Sequence, residues 1–162
     1  MKLGFIISLL VFSLFGSLYA QEVAVIKFPE LKEKMSRESE IVYVFNFWAT
    51  WCKPCVAELP YFEKLTATYN KDQLVVVLVS LDFASQLDRK VVPFVKEKQL
   101  KSEVVLLDAP NYNEWIDKIN PKWSGAIPAT VIIHGESKTN QFYEQQFTYT
   151  ELEDIVRPLL KL

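Results

Sequence analysis

The residues best spaced for chemistry are two cysteines. Cys52 and Cys55 are the only cysteines in the chain, and they stand three apart in Trp51-Cys52-Lys53-Pro54-Cys55. At a helix start, residues with this spacing lie on one turn and can close a small disulfide ring. The free backbone N–H groups of a helix start carry partial positive charge, which stabilises a thiolate at Cys52. Pro54 suits the first helical turn, where its missing N–H costs nothing. The chemistry this predicts is dithiol–disulfide exchange. Cys52 attacks a disulfide, and Cys55, deeper in the helix, resolves the mixed disulfide. Other uses of the pair fit less well. A purely structural bridge across so short a loop gains little loop-closure entropy. A zinc site wants four ligands, and His134 is the only histidine. Haem attachment needs a histidine directly after the second cysteine, where Val56 stands. A peroxidatic cysteine wants Thr or Ser three residues before it, where Ala49 stands.

Such a pair needs a strand to deliver it and a helix to hold it. Ile41 to Phe47 is a continuous apolar run of the kind that suits a central strand buried on both faces. From Cys52 to Asn70 the pattern is helical, with Leu59, Phe62 and Leu65 on one side and Pro60 expected to kink it. Leu74 to Leu81 predicts a second buried strand, Val104 to Leu107 a short one, and Ala129 to His134 another. Val23 to Phe28 reads as a lead-in strand and Pro29 to Ser36 as a short helix. Ser85, with Asp88 three residues on, predicts a helix start of the capping-box type, interrupted at Pro93 and continuing from Phe94 to Leu100. Tyr112 to Ile119 reads as a helix ended by Asn120-Pro121. Gly135 to Lys138 is turn chemistry, with Gln141 to Phe147 as the hairpin partner, and His134 is expected to be exposed beside that turn. Thr150 with Glu153 reads as the capping box of a last helix whose apolar face is Leu152, Ile155, Val156 and Leu159. Trp48, Trp115 and Trp123 are expected to pack, and Trp51 to lie at the surface near the disulfide. Buried strands alternating with helices imply an α/β fold, a mixed but mostly parallel sheet with helices on both faces and a late antiparallel hairpin.

Composition narrows the function. Half of the 162 residues are apolar, 23% are charged and the net charge is −2, which excludes a disordered chain and leaves no basic footprint for nucleic acid. Four glycines, none in a phosphate-loop pattern, exclude nucleotide-phosphate loops. No cofactor or metal is called for. Lys2 is followed by the uncharged run Leu3 to Ala20, which reads as a secretory signal peptide, with an uncleaved membrane anchor over residues 3–20 as the alternative. The remaining domain is expected to span Gln21 to Leu162 in an extracytoplasmic compartment, where disulfides persist.

The segment Phe45-Asn46-Phe47-Trp48-Ala49-Thr50-Trp51-Cys52-Lys53-Pro54-Cys55 resembles the active-site segment of thioredoxin-fold proteins, and more narrowly the extracytoplasmic TlpA/ResA-type thiol-disulfide oxidoreductases. Glu58 and Pro60 complete that branch's C-x-x-C-x-x-E-x-P pattern. Gly125-Ala126-Ile127-Pro128-Ala129-Thr130 resembles its cis-proline loop, and Phe83 to Val104 stands where the branch carries a strand-linking helix. The resemblance implies that Pro128 is cis, that the Ile127 backbone pairs with an extended substrate segment, and that Trp51 and Pro54 border it. Thioredoxins carry a buried Asp where Asn46 stands. Asn cannot take a proton, so Glu58, on the same helix face as Cys55, becomes the candidate that exchanges one with its thiol. The resemblance also implies a periplasmic reductase of disulfide-containing clients, apocytochromes c among them, supplied by a membrane thiol electron donor. A disulfide oxidant or isomerase, and a non-enzymatic binding domain on the same fold, are the competing readings.

Overall fold

The computed structural model describes residues 22–160, so the leader read over residues 1–20 lies outside the described residues. Among those described, no helix is long and apolar enough to cross a membrane. The expected α/β architecture is present. Six strands, β1 (Ala24–Ile26), β2 (Val42–Trp48), β3 (Leu74–Ser80), β4 (Glu103–Leu107), β5 (Ala129–His134) and β6 (Thr139–Tyr143), form one sheet in the order β1-β4-β3-β2-β5-β6. β1 to β4 run parallel, and the hairpin β5–β6 joins β2 antiparallel. Five helices complete the fold: α1 (Phe28–Met35), α2 (Lys53–Thr68), α3 (Val92–Lys98), α4 (Ile116–Ile119) and α5 (Tyr149–Val156).

Alternation along the central strands splits the core in two. Val42, Val44 and Trp48 of β2 pack with Leu59, Phe62 and Leu65 of α2 and with Leu152 and Val156 of α5. Phe45 and Phe47 point the other way, to Leu31 of α1 and to Trp115 and Trp123. Both sheet faces being covered explains why these strands read as unbroken apolar runs. Pro60 lies inside α2 without ending it.

Several elements differ from the sequence expectation, each for a visible reason. Ser85 caps nothing; it lies within a 3-10 turn, Ala84–Gln86. A π-turn, Leu87–Val91, follows. There the Val92 N–H reaches back to the Leu87 carbonyl. Pro93, which has no N–H to offer, opens α3 instead of interrupting a helix. The segment from Tyr112 breaks at Trp115, whose buried indole stacks on Phe28 and Phe47 and donates to the Ala109 carbonyl at 2.8 Å. Meeting those partners pulls its backbone out of helical geometry (φ −136°). β6 begins and ends earlier than expected. Phe147 has left the sheet, and its N–H is used by a buried carboxylate described below. His134 is buried at the end of β5, with Nδ1 2.8 Å from Ser137 Oγ and Nε2 3.2 Å from the Glu40 carbonyl.

The capping box of α5 also sits two residues earlier than the sequence suggested. Thr148 is the N-cap, accepting from the Glu151 N–H, while the Glu151 carboxylate accepts from the Thr148 N–H at 2.8 Å. Thr148→Ala should therefore cost about 1 kcal/mol in denaturant unfolding, whereas Thr150→Ala, one position inside the helix, should change stability by less than about 0.5 kcal/mol. Equal losses would place the cap at neither residue.

Candidate active site

β2 ends at Trp48, and the chain turns through Thr50 and Trp51 into α2. Cys52 is the helix N-cap in extended conformation, and its Sγ accepts from the Cys55 N–H at 3.3 Å. The two cysteines form a disulfide, with Cα atoms 5.3 Å apart. Cys55 is fully buried and Cys52 is 6% exposed, while Trp51 stands out at the surface. Pro54 falls in the first turn of α2, as its residue type requires. Lys53, the other residue between the cysteines, is exposed.

Two carboxylates fix the loops on either side. Asp82, buried just past the end of β3, accepts from the Thr50 N–H at 2.9 Å, the Thr50 hydroxyl at 2.6 Å and the Ser80 hydroxyl at 2.9 Å. Together with the bond from the Leu81 N–H to the Trp48 carbonyl, this binds the turn before Cys52 to the end of β3. On the other side lies the loop from Ser124 to Pro128. Glu144 accepts from the Ser124 N–H at 3.1 Å, from the Ala126 N–H at 3.3 Å and from the Ser124 hydroxyl. These bonds hold its carboxyl below the usual range. Trp123 Nε1 donates to the Ala126 carbonyl at 2.7 Å, and Gly125 takes φ 92°, a region that favours glycine. The Ile127–Pro128 peptide is cis, and the Ile127 carbonyl lies 3.7 Å from Cys52 Sγ.

Glu58 is fully buried behind the disulfide, one helical turn beyond Cys55. Its Oε1 accepts from Asn46 Nδ2 at 2.9 Å and its Oε2 from the Phe147 N–H at 2.7 Å. Asn46 Nδ2 also donates to Thr130 Oγ1 at 3.2 Å across the β2–β5 pairing, in which the two residues stand opposite. Burial outweighs the two hydrogen bonds and pushes the Glu58 carboxyl up from 4.5 to about 7. A carboxyl with that affinity can take or release a proton near neutral pH. Asn46 Oδ1 is buried without a partner. If the amide turned over, Oδ1 would offer an acceptor to a protonated Glu58, so Asn46 can serve both forms of the acid.

Of the residues singled out from sequence, the structure brings Cys52, Cys55, Pro54, Ile127 and Pro128 into one neighbourhood, with Trp51 on its rim and Glu58 beneath. Asp82, Thr130, Glu144 and the Phe147 N–H were not foreseen. Asp82 left a weak trace, a lone acid directly after a buried strand. Glu144 left none, because its partners lie about twenty residues away on an irregular loop. Among the described residues, no three metal-ligating side chains converge.

A mixed sheet with its cysteine pair at the junction of a central strand and helix is the thioredoxin architecture, and solved structures agree. A thioredoxin-related protein from Neisseria meningitidis serogroup B superposes with a TM-score of 0.63 at 22% identity, over 76% of this chain and 87% of that one. The AhpC/TSA family model matches residues 27–141, and the chain belongs to that family. Among curated proteins it is similar to the thioredoxin-like protein YneN of Bacillus subtilis, 40% identical over 110 residues, which are 68% of this chain and 60% of YneN. It is also similar to the thiol-disulfide oxidoreductase ResA of Bacillus thuringiensis, 33% identical over 118 residues, which are 70% of this chain and 61% of ResA. The TlpA/ResA resemblance is thus borne out, and the chain spans about 60% of the length of these two relatives.

The raised Glu58 carboxyl makes folding pH-dependent in a definite sense. Between pH 4.5 and about 7 the folded state keeps a proton that the unfolded chain has released. This contribution to stability is therefore full below pH 4.5 and is lost as pH rises to about 7, a change of about 3 kcal/mol. Glu58→Gln should flatten that part of the profile in urea unfolding of the oxidised protein. An unchanged slope in the variant would show that Glu58 does not hold the proton.

Proposed function

We propose that this chain is an extracytoplasmic thiol-disulfide oxidoreductase that reduces disulfides of client proteins. The observation that carries the reading is the arrangement around Cys52. A barely exposed sulfur caps a helix, the Ile127 carbonyl lies 3.7 Å from it, and a protonatable carboxyl is buried beneath its partner cysteine. The relatives named as thiol-disulfide oxidoreductases support the same activity.

In the reduced form, the Cys52 thiolate attacks a client disulfide, stabilised by the N-terminal N–H groups of α2. One client sulfur leaves as a thiolate, and the other is bonded to Cys52. Cys55 must then lose its proton in a buried setting, which raises the cost of the thiolate. Glu58, in its carboxylate form, accepts that proton. The Cys55 thiolate attacks Cys52 Sγ, re-forms the bond between the two cysteines and releases the second client thiol. Two electrons pass from the dithiol to the client. Trp51 and Pro54 border the approach, and the Ile127 backbone beside Pro128 pairs with the client segment. The sequence Leu3 to Ala20 supports export, with anchoring by residues 3–20 as the alternative, and the resemblance points to a periplasmic setting. It also points to apocytochromes c among the clients and to a membrane thiol donor that restores the dithiol.

Cys55→Ser should accumulate mixed disulfides with clients in cells, and Cys52→Ser should not. Mass spectrometry of the trapped proteins would identify them. Equal trapping by both variants would reverse the assignment of nucleophile and resolver. The direction of exchange is read from the reduction potential. Equilibration with dithiothreitol buffers should give a value nearer thioredoxin, about −270 mV, than the strong oxidant DsbA, about −120 mV. A value near the latter would make the chain an oxidant.

A further inference from the structure

A client segment that pairs beside Cys52 needs free backbone groups, and the loop from Ser124 to Ile127 offers few. Both groups of Ala126 are in use: its N–H donates to Glu144 at 3.3 Å, and its carbonyl accepts from the Trp123 indole at 2.7 Å. Ile127, the next residue, differs. Its N–H has no partner among the described residues, and its carbonyl lies 3.7 Å from Cys52 Sγ. In an antiparallel pair, every second residue bonds the neighbouring strand through both its N–H and its carbonyl. Two residues back from Ile127, Gly125 would be the next such position, but its φ of 92° turns the chain out of extended geometry. Two residues on, Ala129 is already paired with Phe47 inside the sheet. Among the described residues of this loop, Ile127 is therefore the one strand-like position beside the sulfur.

Glu144 holds that arrangement from just past the β5–β6 ladder, which ends where Thr130 stands opposite Tyr143. It accepts from the Ser124 N–H at 3.1 Å, from the Ala126 N–H and from the Ser124 hydroxyl. Glu144, Ser124 and Ala126 are all exposed, so this side of the loop is fixed by hydrogen bonds and not by burial.

We propose that Glu144 is a positioning residue for client binding. Together with the Trp123 indole it occupies Ala126 and leaves Ile127 as the one pairing position, so a single client residue, at a fixed offset from the attacked cysteine, is bonded through both its N–H and its carbonyl. The inference rests on the redox reading above and adds a register to it.

The test follows single turnovers of the reduced chain with a synthetic peptide whose one cysteine is capped by mercaptoethanol as a mixed disulfide. Attack by Cys52 on the peptide sulfur releases mercaptoethanol, and Cys55 then releases the peptide thiol as the Cys52–Cys55 bond forms, so the dithiol supplies both electrons. The dependence of rate on peptide concentration gives a half-saturation concentration and a limiting rate. N-methylation of the peptide, one residue at a time, removes one N–H per position. With the wild-type chain, methylation at one position should raise half-saturation about fivefold, the weight of one hydrogen bond, and methylation elsewhere should leave it unchanged. Glu144→Ala should raise half-saturation for the unmethylated peptide by about fivefold at an unchanged limiting rate, and should spread the sensitivity to methylation over neighbouring positions. Glu144→Gln, which keeps an acceptor oxygen, should lie between the two. Glu63→Ala removes a carboxylate that holds the Lys101 and Ser102 N–H groups in the loop entering β4, and should change neither measure. Hydroxyethyl disulfide, which has no peptide backbone, should be reduced at one rate by all of them. Three results overturn the positioning role and leave the redox reading standing: wild-type half-saturation and methylation pattern in Glu144→Ala, a wild-type chain that reduces the peptide without sensitivity at a single position, or a loss in Glu144→Ala that hydroxyethyl disulfide shares in full. Failure of the wild type to reduce either disulfide overturns both.

Discussion

The buried carboxyl of Glu58 is the point at which the fold and the site constrain each other. It belongs to α2, yet its hydrogen bonds come from β2 through Asn46 and from the segment before α5 through the Phe147 N–H. Thr130 adds β5 through Asn46. A carboxyl enclosed on all sides is costly unless its bonds are made or its charge is given up. Here both compensations operate in part: two donors point at it, and its proton affinity is raised. The same compromise suits the proton exchange proposed for it. An acid fully stabilised as an anion would be a poor acid near neutrality, and one with no donors would stay protonated throughout.

Around this point the active-site surface is built from irregular chain held by side chains. The turn before Cys52 hangs on Asp82, and the loop that carries Pro128 hangs on Glu144 and the Trp123 indole. Neither loop can rely on sheet bonds, because both lie past the strand ends. Carboxylates that accept two or three bonds from one short segment restrain it more than isolated contacts do. The disulfide therefore lies between two braced loops, on a helix whose first turn is anchored in the core.

Most of the architecture could be read from the chain because both sheet faces are covered. Runs such as Ile41 to Phe47 and Leu74 to Leu81 carry little period, but their length and β-branched content suffice for strands, and the cysteine motif fixed the strand–helix junction. The misplacements share a cause, which is that a distant partner overrode a local pattern. Trp115 left its helix to stack in an aromatic cluster, Phe147 left its strand to serve Glu58, and His134 turned inward to Glu40 and Ser137. For the site, Cys52, Cys55, Glu58 and Pro128 were legible from spacing and resemblance. Asp82 and Glu144 were not, since a carboxylate that braces a loop is defined by where the loop goes, and that is known only once the sheet is assembled.

The parallel course of the first four strands carries a consequence for how the molecule can be held. β1 runs in the same sense as β2 but joins the sheet late: counted through the pairings, Ala24 stands level with Val105, Val79 and Phe47, close to the end where β2 finishes and beyond which Cys52 lies. Three strand spacings separate β1 from β2, a lateral offset of roughly 14 Å. A chain held through the residues that lead into Ala24 would thus carry its reactive sulfur near the level at which the tether joins the sheet, displaced to one side of it. The offset from tether to sulfur would then be set by how many strands lie between them, not by how long those strands are.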